Sequence, residues 1–371
     1  MDTAINRIKR QKKTIIHQYA KLDNAQGFFQ TMTTLVPLAA LWYAAIWSVG
    51  ASYWLTFCII LMMTLFGVRV FILMHETGHG TLFRTSWLNK TFGFVFGVLS
   101  GISMYVWAKH HAYHHATNGN WEKYRGPLNT QSVAEFAAMT DKQQRLYQAT
   151  RTIWCAPFGG FLYLIFNPRY RWIKGTIHLI CHLIKNKMAQ PTVSVAEHAA
   201  TFKTPYWNNA IEYWHMFWNN VVLLSVWVLI FWCLGPPLFF TIYLISISFA
   251  GGIALILFTV QHNFDHSYAS DTAAWDYDVS TIQGTSFLIL PGLLNWFTAN
   301  IAYHHVHHLS AAIPNYNLVQ CHQEYQDLFT DVTRIKLSGI HHALKCILWD
   351  RSAQRIISVS EYRQHYVTDN V

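Results

Sequence analysis

The chain has 371 residues, is 52% hydrophobic and only 12% charged, and carries a formal net charge of +9. Charged residues at half the roughly 25% of an average soluble domain, beside 16 Trp, 19 Tyr and 24 Phe, exclude a disordered chain, a nucleic-acid-binding tail and a secreted disulfide scaffold. The 21 His form an excess that neither hydrophobicity nor basicity explains.

In chain order, the opening MDTAINRIKRQKK leads into more polar sequence, so no cleavable signal peptide is expected. No Asp, Glu, Lys or Arg then occurs between Asp23 and Arg69, nor between Glu212 and Asp265. Each gap is more than twice the roughly 20 residues that cross a bilayer as helix. SVGAS near Gly50 divides the first into candidate spans 31–49 and 52–73; Gly235, Pro236 and Pro237 divide the second into 216–234 and 238–260. Arg7, Lys9, Arg10, Lys12, Lys13 and Lys21 precede the first span and predict a cytoplasmic N-terminus. Each hairpin then returns the chain to the cytoplasmic side, at about residues 74 and 261. The shorter uncharged stretches 91–108 and 152–168, and 287–297 (FLILPGLLNWF), are expected to be interfacial helices. The polar regions 121–151 and 324–371 are expected to cap the cytoplasmic face. Six scattered Cys with no C-x-x-C read as small apolar residues in a reducing compartment. The expected fold is an all-α integral membrane protein with four transmembrane helices in two hairpins, interfacial helices and a cytoplasmic helical cap. It forms one domain over 1–371, divided as 1–30, 31–73, 74–212, 213–260 and 261–371.

The histidines fall into spaced clusters: His75 and His79 in HETGH; His111, His114 and His115 in HAYHH; His262 and His266 in QHNFDH; His304, His307 and His308 in HHVHH. Residues three and four apart share a helix face, so each cluster presents a coherent set of imidazoles. Four such faces at membrane-exit points can converge. Imidazole suits Fe, Zn or Cu, and ten rings exceed the three or four ligands of one tetrahedral zinc, so two metals are expected. His305 lies off the 304/307/308 face and reads as structural or as a partner of a ligand ring, whereas the spacing of His110 and His114 offers an alternative pair. His178 and His182 sit in a basic amphipathic stretch and more plausibly face headgroups. HETGH also fits the H-E-x-x-H signature of a zinc metalloprotease, with Glu76 as base. That reading leaves eight clustered His without a purpose, and the chain contains no Asp-Gly for a distant third ligand.

With these residues together, the sequence resembles the membrane-bound fatty acid desaturases. HETGH, HAYHH and HHVHH match their H-x3-H, H-x2-HH and H-x2-HH boxes. HHAYHHATNGNWEKYRG, QHNFDHSY and LLNWFTANIAYHHVHHLSAAIPNYNL look like the bacterial acyl-lipid members, over about residues 70–330. Lys109 stands where those relatives often carry a further His. Carotenoid ketolases and hydroxylases and alkane hydroxylases share the His-box logic, but the spacing and flanking text favour desaturases.

The resemblance implies a four-span, cytoplasm-capped protein with a diiron centre. It implies ligands His75, His79, His111, His114, His115, His266, His304, His307 and His308, with His262 as a further ligand or water-bridged group. O2 is the implied co-substrate, and a cis double bond in the acyl chain of a membrane lipid the implied product. Zn is the expected substitute for Fe in purified protein, because the affinity order favours it. No His-Pro-Gly-Gly haem signature is present, so electrons are expected from a separate ferredoxin-like donor. Neutral ligands leave the metal charge uncompensated, which makes Glu76, Asp265, Asp276 and Asp278 candidates for hydrogen bonds to the ligand rings. Trp107, Tyr113, Trp296, Phe297 and Tyr303 are candidates for lining an acyl channel. The carrier of the acyl chain, the bond position and the oligomeric state stay open.

Overall fold

The fold is given by a computed structural model that describes residues 4–126 and 128–367; the two ends of the expected 1–371 domain lie outside the described residues. Helix α1 (Ala4–Tyr19) precedes the first uncharged stretch. Asp23 caps α2 (Asn24–Val49) by accepting from the Ala25 N–H, and Ser52 caps α3 (Tyr53–His79) by accepting from the Leu55 N–H. These caps satisfy amides that a helix start leaves open. Gly50 and its neighbours fold the chain back between them, and Ser48 and Thr56 hydroxyls meet across the turn at 2.8 Å. α3 stops at Gly80, whose φ of 74° is the left-handed cap glycine favours. The first hairpin therefore forms where the uncharged run predicted it.

The 91–108 stretch does not form the single interfacial helix expected. It is shared between α4 (Ser86–Ser100) and α5 (Met104–Thr117), which are bent by 95°. Gly101 occupies the corner with φ 77°, and Arg169 donates to its carbonyl and to that of Leu164. The bend brings His111 back to His75, with ring centroids 4.6 Å apart. The 152–168 stretch is also composite. It comprises a 3-10 turn, α6 (Ala156–Phe161), a π-helical turn Leu162–Phe166 and the start of α7 (Asn167–Ala189).

The second uncharged run forms α8 (Ala210–Leu238), the π turn Phe239–Leu244 and α9 (Ile245–His262). A continuous helix would separate residues 227 and 243 by about 24 Å, yet the rings of Trp227 and Tyr243 are 5.9 Å apart. The chain thus doubles back, and the break is at Gly235 (φ 78°, ψ 164°) ahead of two prolines. Asn24–Val49, Tyr53–His79 and the 53-residue segment Ala210–His262 are each long and apolar enough to cross a membrane. α9 packs on α3 and, through glycine, on α6. A Cβ on Gly160 would sit 2.3 Å from the Gly252 amide nitrogen, so only glycine permits this backbone approach.

The polar regions do come together as a cap, but not a purely helical one. β1 (Gln131–Ser132) pairs in parallel with β4 (Cys346–Asp350), which pairs antiparallel with β5 (Arg355–Ser358). β2 (Ser286–Ile289) pairs in parallel with β3 (Thr333–Lys336). The first three residues of the expected 287–297 interfacial helix are therefore strand. Its FLI residues suit a pleated surface, Leu288 is fully buried, and Pro291 begins a short helix, Gly292–Phe297. α1 lies against the cap with Ile8 and Ile15 buried. Lys9 reaches Asp276 at 2.8 Å and Lys12 reaches Asp278 at 2.9 Å.

Candidate metal centre

Four helices end at one place. α3 carries His75 and His79 in its final turns, and α5 carries His111, His114 and His115. α9 ends on His262, and α10 (His304–Leu309) carries His304, His307 and His308. Their rings separate into two groups. His75, His79, His111, His115 and His307 form one, and His114, His262, His304 and His308 the other; within each group the candidate ligand atoms lie within 4.8 Å of one another. Helix periodicity explains the division. His111 and His115, four apart, serve the first group while His114 turns to the second; His304 and His308, four apart, serve the second while His307 turns to the first. α5 and α10 thus bridge the groups, which touch through the stacked rings of His115 and His308, 4.2 Å apart.

These nitrogens fit metal ions. All nine rings except the half-buried His79 are buried, yet several nitrogens have no hydrogen-bond partner, including His75 Nε2, His79 Nε2, His308 Nε2 and both nitrogens of His114 and His307. Orphaned buried polar atoms cost free energy, and a cation removes that cost. The tautomers agree. Glu76 can only accept, so His75 Nδ1 donates to it at 3.0 Å and leaves Nε2 bare. His262 Nδ1 donates to the Gly284 carbonyl at 3.1 Å, and its Nε2 faces His304 Nε2 at 2.9 Å. His115 Nε2 faces His111 Nε2 at 3.0 Å. Burial also holds His304, His307 and His308 well below the usual imidazole pKa, keeping them neutral.

Neutral ligands supply no charge, so the surroundings must. His79, His114, His115, His262, His307 and His308 lie in the last turns of their helices, where the macrodipole is negative. Glu76, fully buried, adds a carboxylate and also accepts from Thr81 Oγ1 at 3.2 Å and the Asn315 N–H at 3.0 Å. Asn315 in turn pairs with Gln30 of α2 through two side-chain hydrogen bonds.

The fatty acid desaturase family model matches residues 52–335, most of the chain and every one of these imidazoles. The chain belongs to the fatty acid desaturase family. It is also 31% identical over 357 residues to a fatty acid desaturase of Bacillus subtilis strain 168, an alignment covering 94% of this chain and 90% of that protein. The activity class is accordingly that of an oxidoreductase acting on fatty acyl chains.

Within this desaturase, the structure brings together nine of the ten imidazoles singled out in the sequence. His266 stays apart. α9 ends at His262, the chain turns, and His266 takes φ 63°. The 262/266 face therefore never forms, and His266 Nδ1 instead meets Arg355 Nη1 at 2.5 Å. His305 points away from both groups, with its Nε2 2.8 Å from His322 Nδ1. Of the four carboxylates, Glu76 alone contacts a grouped imidazole among the described residues. Asp276 caps a short helix and binds Lys9, which holds its carboxyl below the usual range. Asp278 binds Lys12, and Asp265 turns to His342 and Cys346. Lys109 pairs with Glu212 at 2.9 Å, tying α5 to α8.

A largely apolar cavity of about 540 Å³ adjoins the centre and reaches His111 and His114, one from each group. Trp107 and Tyr113 line it; Trp296, Phe297 and Tyr303 do not. Trp296 packs on Arg69 and Phe66, Phe297 on Phe66, and Tyr303 on Phe287. Sequence reasoning missed Phe71 and Phe258, which line the cavity with Trp107. Each of the three precedes a site histidine (His75, His262, His111) by four residues, and their rings lie 5.6–6.4 Å apart. That one-turn offset was the available signal.

Proposed function

We propose that this desaturase introduces a cis double bond into the acyl chain of a membrane lipid in an O2-dependent reaction at a His-ligated diiron centre. The observation that carries the reading is the meeting of two imidazole groups with one apolar cavity. The first group would hold one iron through His75, His79, His111, His115 and His307, and the second the other through His114, His262, His304 and His308. Two irons held there would supply the O2 activation needed to oxidise an unactivated methylene pair, a task no amino-acid side chain performs. The protein does the rest. Phe71, Trp107 and Phe258 form an apolar wall that would hold the chain beside the rings and keep water away. Glu76 fixes the His75 tautomer and ring orientation.

Four membrane crossings are proposed, the third and fourth being the two legs that meet at Gly235. The basic N-terminal segment supports a cytoplasmic centre by the positive-inside rule. Electrons would come from a separate, ferredoxin-like donor. The test is expression in a bacterium lacking its own desaturase, with gas chromatography of the lipid acyl chains. A new cis-unsaturated chain that requires aeration is expected. A hydroxylated chain, or an unchanged profile beside a working control enzyme, contradicts the reading.

A further inference from the structure

Outside the two imidazole groups, a loop, a short helix and a strand bring three metal-binding side chains of different chemistry to one point. Asp265 follows α9 by three residues, His342 lies on the short helix Ile340–Ala343, and Cys346 opens β4. Cys346 Sγ lies 3.1 Å from Asp265 Oδ1, and His342 Nε2 contacts the other oxygen of the same carboxylate. All three ligand atoms are within 4.8 Å of one another. We propose that Asp265, His342 and Cys346 form a third metal site, separate from the catalytic centre, that takes a thiophilic divalent cation, Zn2+ foremost.

Three observations support this assignment. The first is charge: a thiolate, a carboxylate and a neutral imidazole together balance a divalent cation, whereas without one the pair of acidic groups gains nothing from deprotonating side by side. The second is ligand type. Sulfur and imidazole select Zn2+ over Mg2+ or Ca2+, which prefer all-oxygen sites. The third is geometry and access. Zn–ligand bonds of roughly 2.0–2.3 Å place tetrahedral ligand atoms roughly 3.3–3.7 Å apart, so the 3.1 Å Cys346–Asp265 separation need open by only a few tenths of an ångström. Cys346 is fully buried while the His342 side chain is 65% exposed, so the site has a fixed inner ligand and an open outer side. A fourth position is left for water. Bound metal would cross-link the end of α9 to the cap strand β4, beside the Asn263 hydrogen bond to the Cys346 carbonyl.

Cobalt reads this site selectively, because the imidazole groups of the catalytic centre contain no sulfur. Full-length protein in detergent, stripped of metal, is titrated with Co2+ and followed in the near ultraviolet for thiolate-to-cobalt charge transfer. The proposal expects a band that saturates at one thiolate-bound Co2+ per chain and is bleached by added Zn2+. The band should be lost in Cys346→Ser and in His342→Ala, and retained in Cys321→Ser, which removes the other buried thiol. His342→Ala changes an exposed side chain, so the fold survives it even if Cys346→Ser does not. Absence of the band in the parent protein, or its persistence in His342→Ala with unchanged cobalt affinity, overturns the site.

Discussion

Replacing His307 by alanine, and separately His308 by alanine, abolishes formation of the unsaturated chain while the protein still inserts and accumulates in the membrane. The two residues are adjacent in sequence but, turned about 100° apart on α10, serve different imidazole groups. Each variant therefore removes a ligand from a different metal while leaving the other group whole. The expected loss of product is more than about 100-fold in both, beyond the 10- to 100-fold typical of an outer partner of a ligand. The comparison is sharpened by His305→Ala on the same short helix. It removes the contact with His322 and is expected to retain product, with any loss tracking protein abundance. Acyl-chain analysis of membranes normalised by immunoblot measures all three. Full product from either His307→Ala or His308→Ala contradicts the two-group assignment.

Glu76→Ala is expected to have the next largest effect. The carboxylate is fully buried and accepts from His75 Nδ1, the Thr81 hydroxyl and the Asn315 amide. Without it, His75 loses the partner that fixes its tautomer, and the centre loses a nearby negative charge. Iron affinity and product formation should fall by about 10- to 100-fold. The unpaired Asn315 amide should also cost about 1–3 kcal/mol of stability. Glu76→Gln is expected to fall between wild type and alanine, since an amide offers one acceptor oxygen where the carboxylate uses two. Iron binding measured against a chelator separates the metal effect from the stability effect, which thermal unfolding of metal-free protein reads alone. Unchanged iron affinity in Glu76→Ala would remove Glu76 from the site.

How much of this was legible in the sequence depended on whether the determining contacts were local. The uncharged runs marked both hairpins, because the absence of charge over more than 40 residues needs no tertiary information. The faces 75/79, 111/114/115 and 304/307/308 followed from helical periodicity, and the helices exist there. Periodicity failed at His266 because it presumed that α9 continued past His262, and nothing local in QHNFDH marks the stop. The small sheets were invisible for a related reason. β1 pairs with β4 across more than 200 residues, Gln131 opposite Leu348, and a two-residue strand carries no alternation of its own. Asp276 and Asp278 are candidates on charge alone, an argument that does not say which cation each one meets. Their partners, Lys9 and Lys12, come from the far end of the chain. The aromatic wall was readable in principle, since Phe71, Trp107 and Phe258 each stand one turn before a site histidine. Sequence reading names Trp107 and Tyr113, which line the cavity, but beside them it names Trp296, Phe297 and Tyr303 near the third box, which pack elsewhere.

The central claim is that nine imidazoles on four helix ends hold two metal ions, each in its own group. Anomalous diffraction from crystals of the iron-loaded protein, collected at the iron and zinc edges, tests it most directly. The account predicts two iron peaks, one among His75, His79, His111, His115 and His307 and one among His114, His262, His304 and His308, with His266 bound to neither. A single peak shared by both groups, or a peak coordinated by His266, would contradict it.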